Sequence, residues 1–428
     1  MAPSSLDEWL AFQSQLHPRA IDLGLTRLQA VLERLHWRRP AASVITIAGT
    51  NGKGSVAAMC GAILASSDLR VGVFTSPHFR DYRERIRIEG RMVENAALTA
   101  SFERIEAARG EIALTFFEYN TLAALLLFDA ANLDAWVLEV GLGGRLDAVN
   151  VIDPDVAVVV SIGLDHQDYL GATLDQIGRE KAGIFRRDKP ALLGSRTLPG
   201  SVAATAVAVG ARLKRLGVEY DYSRAGAAWH YRGTRWDLPG LPPPALFGDK
   251  QYDNAATAIA AVEELASLQS VTAASIAAGL RSAQLTGRFQ VIRPAAGSGP
   301  VWILDVAHNP DAARVLAGNL RALPAPARTL AVCGILADKD AAAIVAELRG
   351  CFDHWWFVAT AGDRGRSASA LASCVAVRLD APADTADSLP EACAAAAAQA
   401  RDADRIVIFG SFHTVGPALD WLESHGVL

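Results

Sequence analysis

A glycine-rich connection, Gly49-Thr50-Asn51-Gly52-Lys53-Gly54-Ser55, joins the β-branched run Val44–Ala48 to the small-residue helical stretch Ser55–Leu64. A buried strand that passes through such a loop into a helix favours a parallel sheet covered by helices over a hairpin. The loop also has the composition of a phosphate cradle. Its glycines let backbone N–H groups wrap an anion at a helix start, where the helix dipole favours negative charge. Lys53 would reach the β- and γ-phosphates. The spacing departs from the general G-x-x-x-x-G-K-[ST] pattern, because Gly54 separates Lys53 from Ser55. The competing reading is an ordinary strand–turn–helix with a solvent-facing lysine; three glycines, the lysine and the flanks favour phosphate.

The alternation continues along the chain. Val71–Phe74, Ala135–Val140 and Val156–Ile162 read as strands, and Thr173–Ile184 as a helix opened by a capping box of Thr173 and Gln176. The segment Trp229–Asp249 carries Pro239 and Pro242–Pro243–Pro244 and reads as irregular or short-stranded surface structure; Ala255–Leu268 is again helical. Gly287, Pro294, Gly297, Gly299 and Pro300 crowd the stretch Gln284–Pro300, the best boundary in the chain. Beyond it Val301–Val306, Thr329–Cys333, Trp355–Ala359 and Arg405–Phe409 read as strands, and the alanine run Ala394–Ala398 as part of a helix. At 428 residues the chain is longer than a single core accommodates. The expectation is an α/β protein with a P-loop-containing parallel-sheet ATPase domain at residues 1–287 and a smaller, Rossmann-like α/β domain at 288–428.

Composition narrows the function classes. A formal net charge of -5 argues against a protein dominated by nucleic-acid backbone contacts. Five scattered cysteines without a C-x-x-C pair suit neither a zinc site nor a disulfide framework and point to a reducing compartment. Residues 1–19 include Asp7 and Glu8 and lack the apolar run of a signal peptide. The uncharged stretches Leu265–Leu280 and Thr197–Ala211 are diluted by polar residues or broken by Pro199, Gly200 and Gly210, short of the roughly 20 apolar residues of a membrane span. A soluble cytoplasmic enzyme is expected, without nucleic-acid or membrane partners.

Candidate chemistry sits at strand ends. Glu139 closes a strand before Val140-Gly141-Leu142-Gly143-Gly144-Arg145; an ion pair is the plain reading, but a P-loop needs a Mg²⁺ ligand from a neighbouring strand end, which favours metal binding. His166, in Gly163-Leu164-Asp165-His166, reads in isolation as structural, with Asp165 an alternative oxygen donor. Ser76 and His78 occupy another strand end, in what is ordinarily only a Ser-Pro turn. Lys181, in Gly178-Arg179-Glu180-Lys181, reads by itself as part of a solvated helix face. Asp305-Val306-Ala307-His308-Asn309-Pro310 and Gly410-Ser411-Phe412-His413-Thr414 are strand-to-helix loops that face a cleft or merely cap their helices.

In order and completeness these segments resemble the folylpolyglutamate synthase and dihydrofolate synthase family, relatives of the Mur ligases. The likeness runs from Ile21-Asp22-Leu23-Gly24-Leu25 through GTNGKGS (Gly49–Ser55), SPH (Ser76–His78) and FEYNTLAAL (Phe117–Leu125) to LEVGLGGRLDAVN (Leu138–Asn150). It continues with LDH (Leu164–His166), GREKAGIF (Gly178–Phe185), GRFQ (Gly287–Gln290), DVAHNP (Asp305–Pro310) and Gly410–His413.

The resemblance implies that Thr50, Asn51, Gly52, Lys53, Gly54 and Ser55 hold the ATP phosphates and that Ser76, Glu139 and His166 ligate Mg²⁺. It places adenine at Asn254 and completes the nucleotide site with Arg288 and Asp305. Lys181 matches a lysine that is carbamylated in the family, which replaces the plain reading given above. Asp22, Leu23 and Gly24, Thr115, Phe116, Phe117 and Glu118, and Leu146, Asp147 and Ala148 would meet the pterin acid. The turn Phe247-Gly248-Asp249-Lys250-Gln251 departs from the Gly-x-His-Gln often found before the adenine-contacting Asn, which leaves the adenine contacts less defined than the phosphate contacts.

The implied reaction activates a folate-type carboxylate as an acyl phosphate and transfers it to L-glutamate, with release of ADP and phosphate. Lys53, Arg288 and Mg²⁺ would neutralise the transferring group, and His308 and the His413 loop would orient the intermediate or glutamate. Nucleotide contacts divided between the two domains imply that the domains close during the reaction. Both dihydropteroate and reduced folates are expected as acids, because Phe117–Leu125 and Ile21–Leu25 look most like the bifunctional bacterial members; a monomer is expected. A Mur ligase would need room for an extra N-terminal domain ahead of Gly49. A nicotinamide oxidoreductase would need G-x-G-x-x-G where the chain has Gly141–Gly144, and a non-catalytic nucleotide-binding module would not require Lys53, Glu139, His166 and Lys181 together.

Overall fold

The computed structural model describes residues 3–226, 228–265, 270–294 and 299–428. The chain divides into two compact units. The first comprises Met1–His78, Tyr82–Ala245 and Tyr252–Gln284; the second comprises Phe79–Asp81, Leu246–Gln251 and Leu285–Leu428.

The first unit is built on β1 (Ser43–Ala48), β2 (Val71–Phe74), β3 (Ile86–Ile88), β4 (Arg91–Met92), β5 (Ala135–Glu139), β6 (Val156–Val159), β7 (Pro190–Leu193) and β8 (Arg212–Arg215). Among the described residues these form one sheet in the order β4-β3-β2-β5-β1-β6-β7-β8. From β2 to β8 every neighbouring pair is parallel; β3 and β4 extend the edge antiparallel. β1, β5 and β6 are buried along their whole length, as a strand covered on both faces requires, which is why they read as continuous apolar runs. Trp9, Phe102, Tyr119, Phe128 and Trp136 are the bulkiest members of the core on this sheet.

The strand expected over Val156–Ile162 stops at Val159, because the backbone beyond it turns to the Gly49–Ser55 loop: Thr50 N–H donates to Ser161 O (2.8 Å) and Gly163 N–H to Thr50 Oγ1 (3.0 Å). The helix expected over Thr173–Ile184 runs Leu174–Ala182, with the expected capping box in place. The Pro-rich segment is more ordered than expected. With β9 (Asp221–Ala225), β10 (Ala228–Arg232) and β11 (Asp237–Leu241) it makes a three-stranded antiparallel sheet whose Trp229 and Tyr231 are buried, not superficial. The buried Glu263 carboxylate holds it, accepting from Tyr231 Oη (2.7 Å) and from the N–H groups of Arg235 and Trp236 (2.6 Å each). The following helix runs Lys250–Glu263; residues 266–268 of the helix expected there, and Gly297 of the expected linker, lie outside the described residues.

The second unit carries β12 (Gln290–Ile292), β13 (Val301–Asp305), β14 (Thr329–Cys333), β15 (His354–Val358), β16 (Ala383–Ala386) and β17 (Arg405–Phe409) in the order β12-β13-β17-β14-β15-β16, parallel except for β12. The period-2 alternation of strand side chains divides its core. Val407 and Phe409 pack with Trp355 on one face, and Ile406 and Ile408 pack with Trp302 and Trp356 on the other.

Candidate active site

The carboxyl ends of four adjacent parallel strands, β2, β5, β1 and β6, carry the segments at Ser76, Glu139, Gly49–Lys53 and Ser161–His166. The chain leaves β1 toward β2 on one side and β6 toward β7 on the other, so this edge is a point where a parallel sheet opens a ligand crevice.

The Gly49–Ser55 loop is held by side-chain and backbone bonds to the segment after β6. Asn51 N–H donates to Ser161 Oγ (2.9 Å), which in turn donates to Asn51 O (2.8 Å). Gly52 caps helix Lys53–Ala65 at φ +85°, and a Cβ there would stand 2.9 Å from Val160 Cγ1 and 3.0 Å from Asn254 Oδ1. A side chain is excluded on both counts, and Asn254 is thereby placed against the loop. Lys53 Nζ folds onto the carbonyls of Gly49 (3.0 Å) and Thr50 (3.3 Å).

Lys181 is buried, contrary to the solvated helix face that the residue alone suggested, and its Nζ donates to Gly49 O (3.1 Å). Burial first, and then the nearby Lys53 charge, pull its amine down to about 7, opposed by Asp165 and Asp147. Gly144 makes this placement possible. A Cβ on it would lie 2.6 Å from Lys181 O and 2.8 Å from Glu180 O, so only a bare backbone lets the loop after β5 touch the Lys181 helix. Arg145 N–H donates to Glu180 O (2.8 Å) across the same contact.

Among the expected metal ligands, Ser76 and Glu139 meet: Ser76 N–H donates to Glu139 Oε2 (3.3 Å), and Glu139 is buried. His166 does not sit at the strand end expected for it but beyond an irregular segment that follows Val159, in a left-handed conformation as the N-cap residue of helix Gln167–Leu170, with its N–H on Asp165 Oδ1 (2.9 Å). Among the described residues no three His, Cys, Asp or Glu side chains gather to hold a metal by themselves. A carboxylate and a hydroxyl beside a phosphate loop fit Mg²⁺, which binds through one or two protein oxygens plus phosphates.

The three segments expected to meet the acid come together. Gly24 N–H donates to Leu146 O (3.1 Å), and Arg27 bonds both Asp22 and Glu118. Glu118 closes a capping box with Thr115, and burial is the main influence raising its carboxyl above the usual range. Phe116 lies under the Arg85 guanidinium, 5.6 Å from ring centre, and Phe117 packs beside Phe74 (5.8 Å). Asp147 serves the loop itself. Its carboxylate accepts from Leu142 N–H (2.8 Å) and Val149 N–H (3.0 Å), and burial pushes it up to about 6.

In the second unit Asp305 accepts from the N–H groups of Phe289 (2.9 Å) and Ala307 (2.8 Å); burial chiefly raises its carboxyl, and Arg288 opposes that. Arg288 lies over the Phe412 ring at 5.4 Å. His308 Nδ1 donates to Val306 O (2.8 Å), which fixes the orientation of the ring. Ser411 and Thr414 bond one another (2.7 Å), Thr414 Oγ1 donates to Gly334 O (2.7 Å), and His413 is held below the ordinary imidazole range by burial and by Arg364.

Residues 47–193 match the Mur ligase middle domain and residues 287–412 the Mur ligase glutamate ligase domain. The dihydrofolate synthase/folylpolyglutamate synthase of Escherichia coli K12 is 45% identical over 423 residues, 99% of this chain and 97% of that protein. The chain belongs to the dihydrofolate synthase/folylpolyglutamate synthase family. The Haemophilus influenzae member is 38% identical, covering 97% of each chain. Among solved structures of the family, Escherichia coli FolC in complex with DHPP and ADP superimposes with a TM-score of 0.93 at 44% identity, covering 99% of both chains. The Yersinia pestis enzyme complexed with AMPPNP and Mn gives 0.90 at 43% identity, again over 99% of both.

As a member of this family the chain is an ATP-dependent ligase. Two arginines outside the motifs lie among these segments. Arg85 is a buried arginine whose Nε donates to His78 Nδ1 (2.8 Å) beside the Ser76 turn; burial lowers its pKa, and Tyr82 and Glu139 counteract that. Arg27 joins two of the expected acid-binding segments. Neither stands in a motif with a mechanism attached, and their signal is only that each lies a few residues from a segment that has one.

Proposed function

We propose that the chain adds L-glutamate to dihydropteroate and to reduced folates, using ATP and Mg²⁺. The observation that carries this reading is the convergence of Lys53 and Lys181 on Gly49 at the strand edge that also holds Ser76 and Glu139. In the proposed reaction a carboxylate oxygen of the acid attacks the γ-phosphorus and the bond to ADP breaks. The glutamate nitrogen then attacks the acyl carbon, phosphate leaves, and the amine gives up a proton. Lys53 and the backbone N–H groups of Gly52–Ser55 stabilise the charge on the transferring group. Ser76, Glu139 and His166 would hold Mg²⁺, which, when bound, screens the phosphate charge.

A buried amine held near neutrality suits Lys181 to add carbon dioxide: its nitrogen lone pair forms the C–N bond, a proton leaves, and an anion replaces a cation beside the metal ligands. Asn254 against Gly52 supports an adenine role, and Arg288 and Asp305 are assigned to the same nucleotide. Asp22–Gly24, Thr115–Glu118 and Leu146–Ala148 are assigned to the acid. The domain assignment is residues 1–287 for ATP and 288–428 for ligation, and the enzyme is proposed to act as a cytoplasmic monomer. Phosphate release with dihydropteroate and with a reduced folate, each with and without glutamate, tests the reading. Glutamate-dependent release with both acids is expected; release with the reduced folate alone leaves only the polyglutamate activity, and none with either sinks the proposal.

A further inference from the structure

We infer that Arg27 is a positioning residue for the carboxylic-acid substrate, its guanidinium latching the loop Asp22–Gly24 onto the start of helix Phe116–Ala130. The inference rests on the assignment of these segments to the acid. Arg27, on helix Thr26–Arg34, donates from Nη1 to Asp22 Oδ2 (2.6 Å) and from Nη2 to Asp22 O (2.6 Å). Its Nε faces both Glu118 oxygens, at 3.0 and 3.1 Å. A planar guanidinium can serve both partners in fixed geometry; a point-charge ammonium cannot.

The latch is separable from the fold around it. Glu118 Oε2 also accepts Thr115 N–H (2.7 Å), so the helix start keeps its cap without Arg27. Asp22 also has His17 Nε2 at 3.5 Å and Arg19 Nη1 at 3.6 Å. Among the described residues, Arg27 alone is bonded to both Asp22 and Glu118. With Gly24 already tied to Leu146 O, one side chain brings the third segment into register with the other two. Loss of the latch frees the loop without touching Gly49–Ser55, so the acid weakens while the nucleotide does not.

Steady-state kinetics of Arg27→Met with dihydropteroate, ATP and glutamate test this. KM for dihydropteroate should rise about tenfold or more while KM for ATP and kcat stay within about twofold, and Arg27→Lys should recover part of the loss. A folded Arg27→Met protein with an unchanged KM for the acid, or with both KM values raised together, overturns the inference. Should Arg27→Met fail to fold, Arg27→Gln decides by the same split, since its amide can still donate to one partner but cannot span Asp22 and Glu118 together. A wild-type enzyme inactive with dihydropteroate and with a reduced folate would instead indict the functional assignment.

Discussion

Lys181 Nζ donates to the carbonyl oxygen of Gly49 at 3.1 Å, so an amine from helix Leu174–Ala182 is fixed against the first residue of the glycine-rich loop. Burial and the neighbouring Lys53 make the charged form of that amine costly, and Asp165 and Asp147 return only part of the cost.

The cost has a pH signature. The folded amine titrates at about 7 against 10.5 for an ordinary lysine. Between those values the unfolded chain holds the proton and the folded one does not, so this group makes the fold more stable as pH rises through that window; below it the penalty is complete. Lys181→Met removes the penalty. In carbonate-free buffer its melting temperature should exceed that of the wild type at about pH 6, by a margin that narrows steadily toward about pH 10. A margin independent of pH would show that the amine does not titrate in this way.

Gly144→Ala tests the contact that places Lys181. The new methyl would meet the carbonyls of Lys181 and Glu180 at 2.6 and 2.8 Å and Lys181 Cα at 3.0 Å, all backbone atoms that cannot swing aside. Overpacking of this kind costs about 1–3 kcal/mol, readable by denaturant unfolding, and activity should fall further than stability because the helix carrying Lys181 is displaced. Unaltered unfolding and turnover would mean the contact is looser than the structure has it.

Much of this was legible in the sequence where local chemistry and tertiary role coincide. The strands Val71–Phe74, Thr329–Cys333 and Arg405–Phe409 end where their β-branched runs end, and Thr173 and Gln176 form their capping box. Lys181 was illegible by itself, because a Glu180–Lys181 pair on a helix looks the same whether water or a phosphate loop lies opposite. Its burial depends on Gly144, far away in sequence. The sheet containing Trp229 and Tyr231 was obscured by prolines, since the carboxylate that organises it, Glu263, lies on a later helix. Arg27 was passed over because its two partners are 5 and 91 residues away, a spacing no periodicity displays.

Glu139→Gln separates metal binding from acid binding. The buried carboxylate receives Ser76 N–H at 3.3 Å, so the amide leaves the local backbone a partner but takes away the anionic donor. The Mg²⁺ concentration for half-maximal phosphate release should rise about tenfold to a hundredfold, with KM for the acid little changed. A metal titration curve identical to the wild type's would remove Glu139 from the metal site. Chelation of the wild type should abolish turnover, and added Mg²⁺ should restore it.

His308 Nδ1 donates to Val306 O at 2.8 Å, which fixes the orientation of the ring. The attacking amine must lose a proton, and a positioned imidazole is suited to receive it or to orient the amine. His308→Ala should therefore lower kcat, by about a hundredfold or more if the imidazole takes the proton and by less if it only orients the amine. Single-turnover measurements place the loss: acyl phosphate should still form from ATP and the acid, and its consumption by glutamate should slow. Turnover equal to the wild type's would reject any role for His308, and a loss confined to acyl phosphate formation would move it to the first half of the reaction.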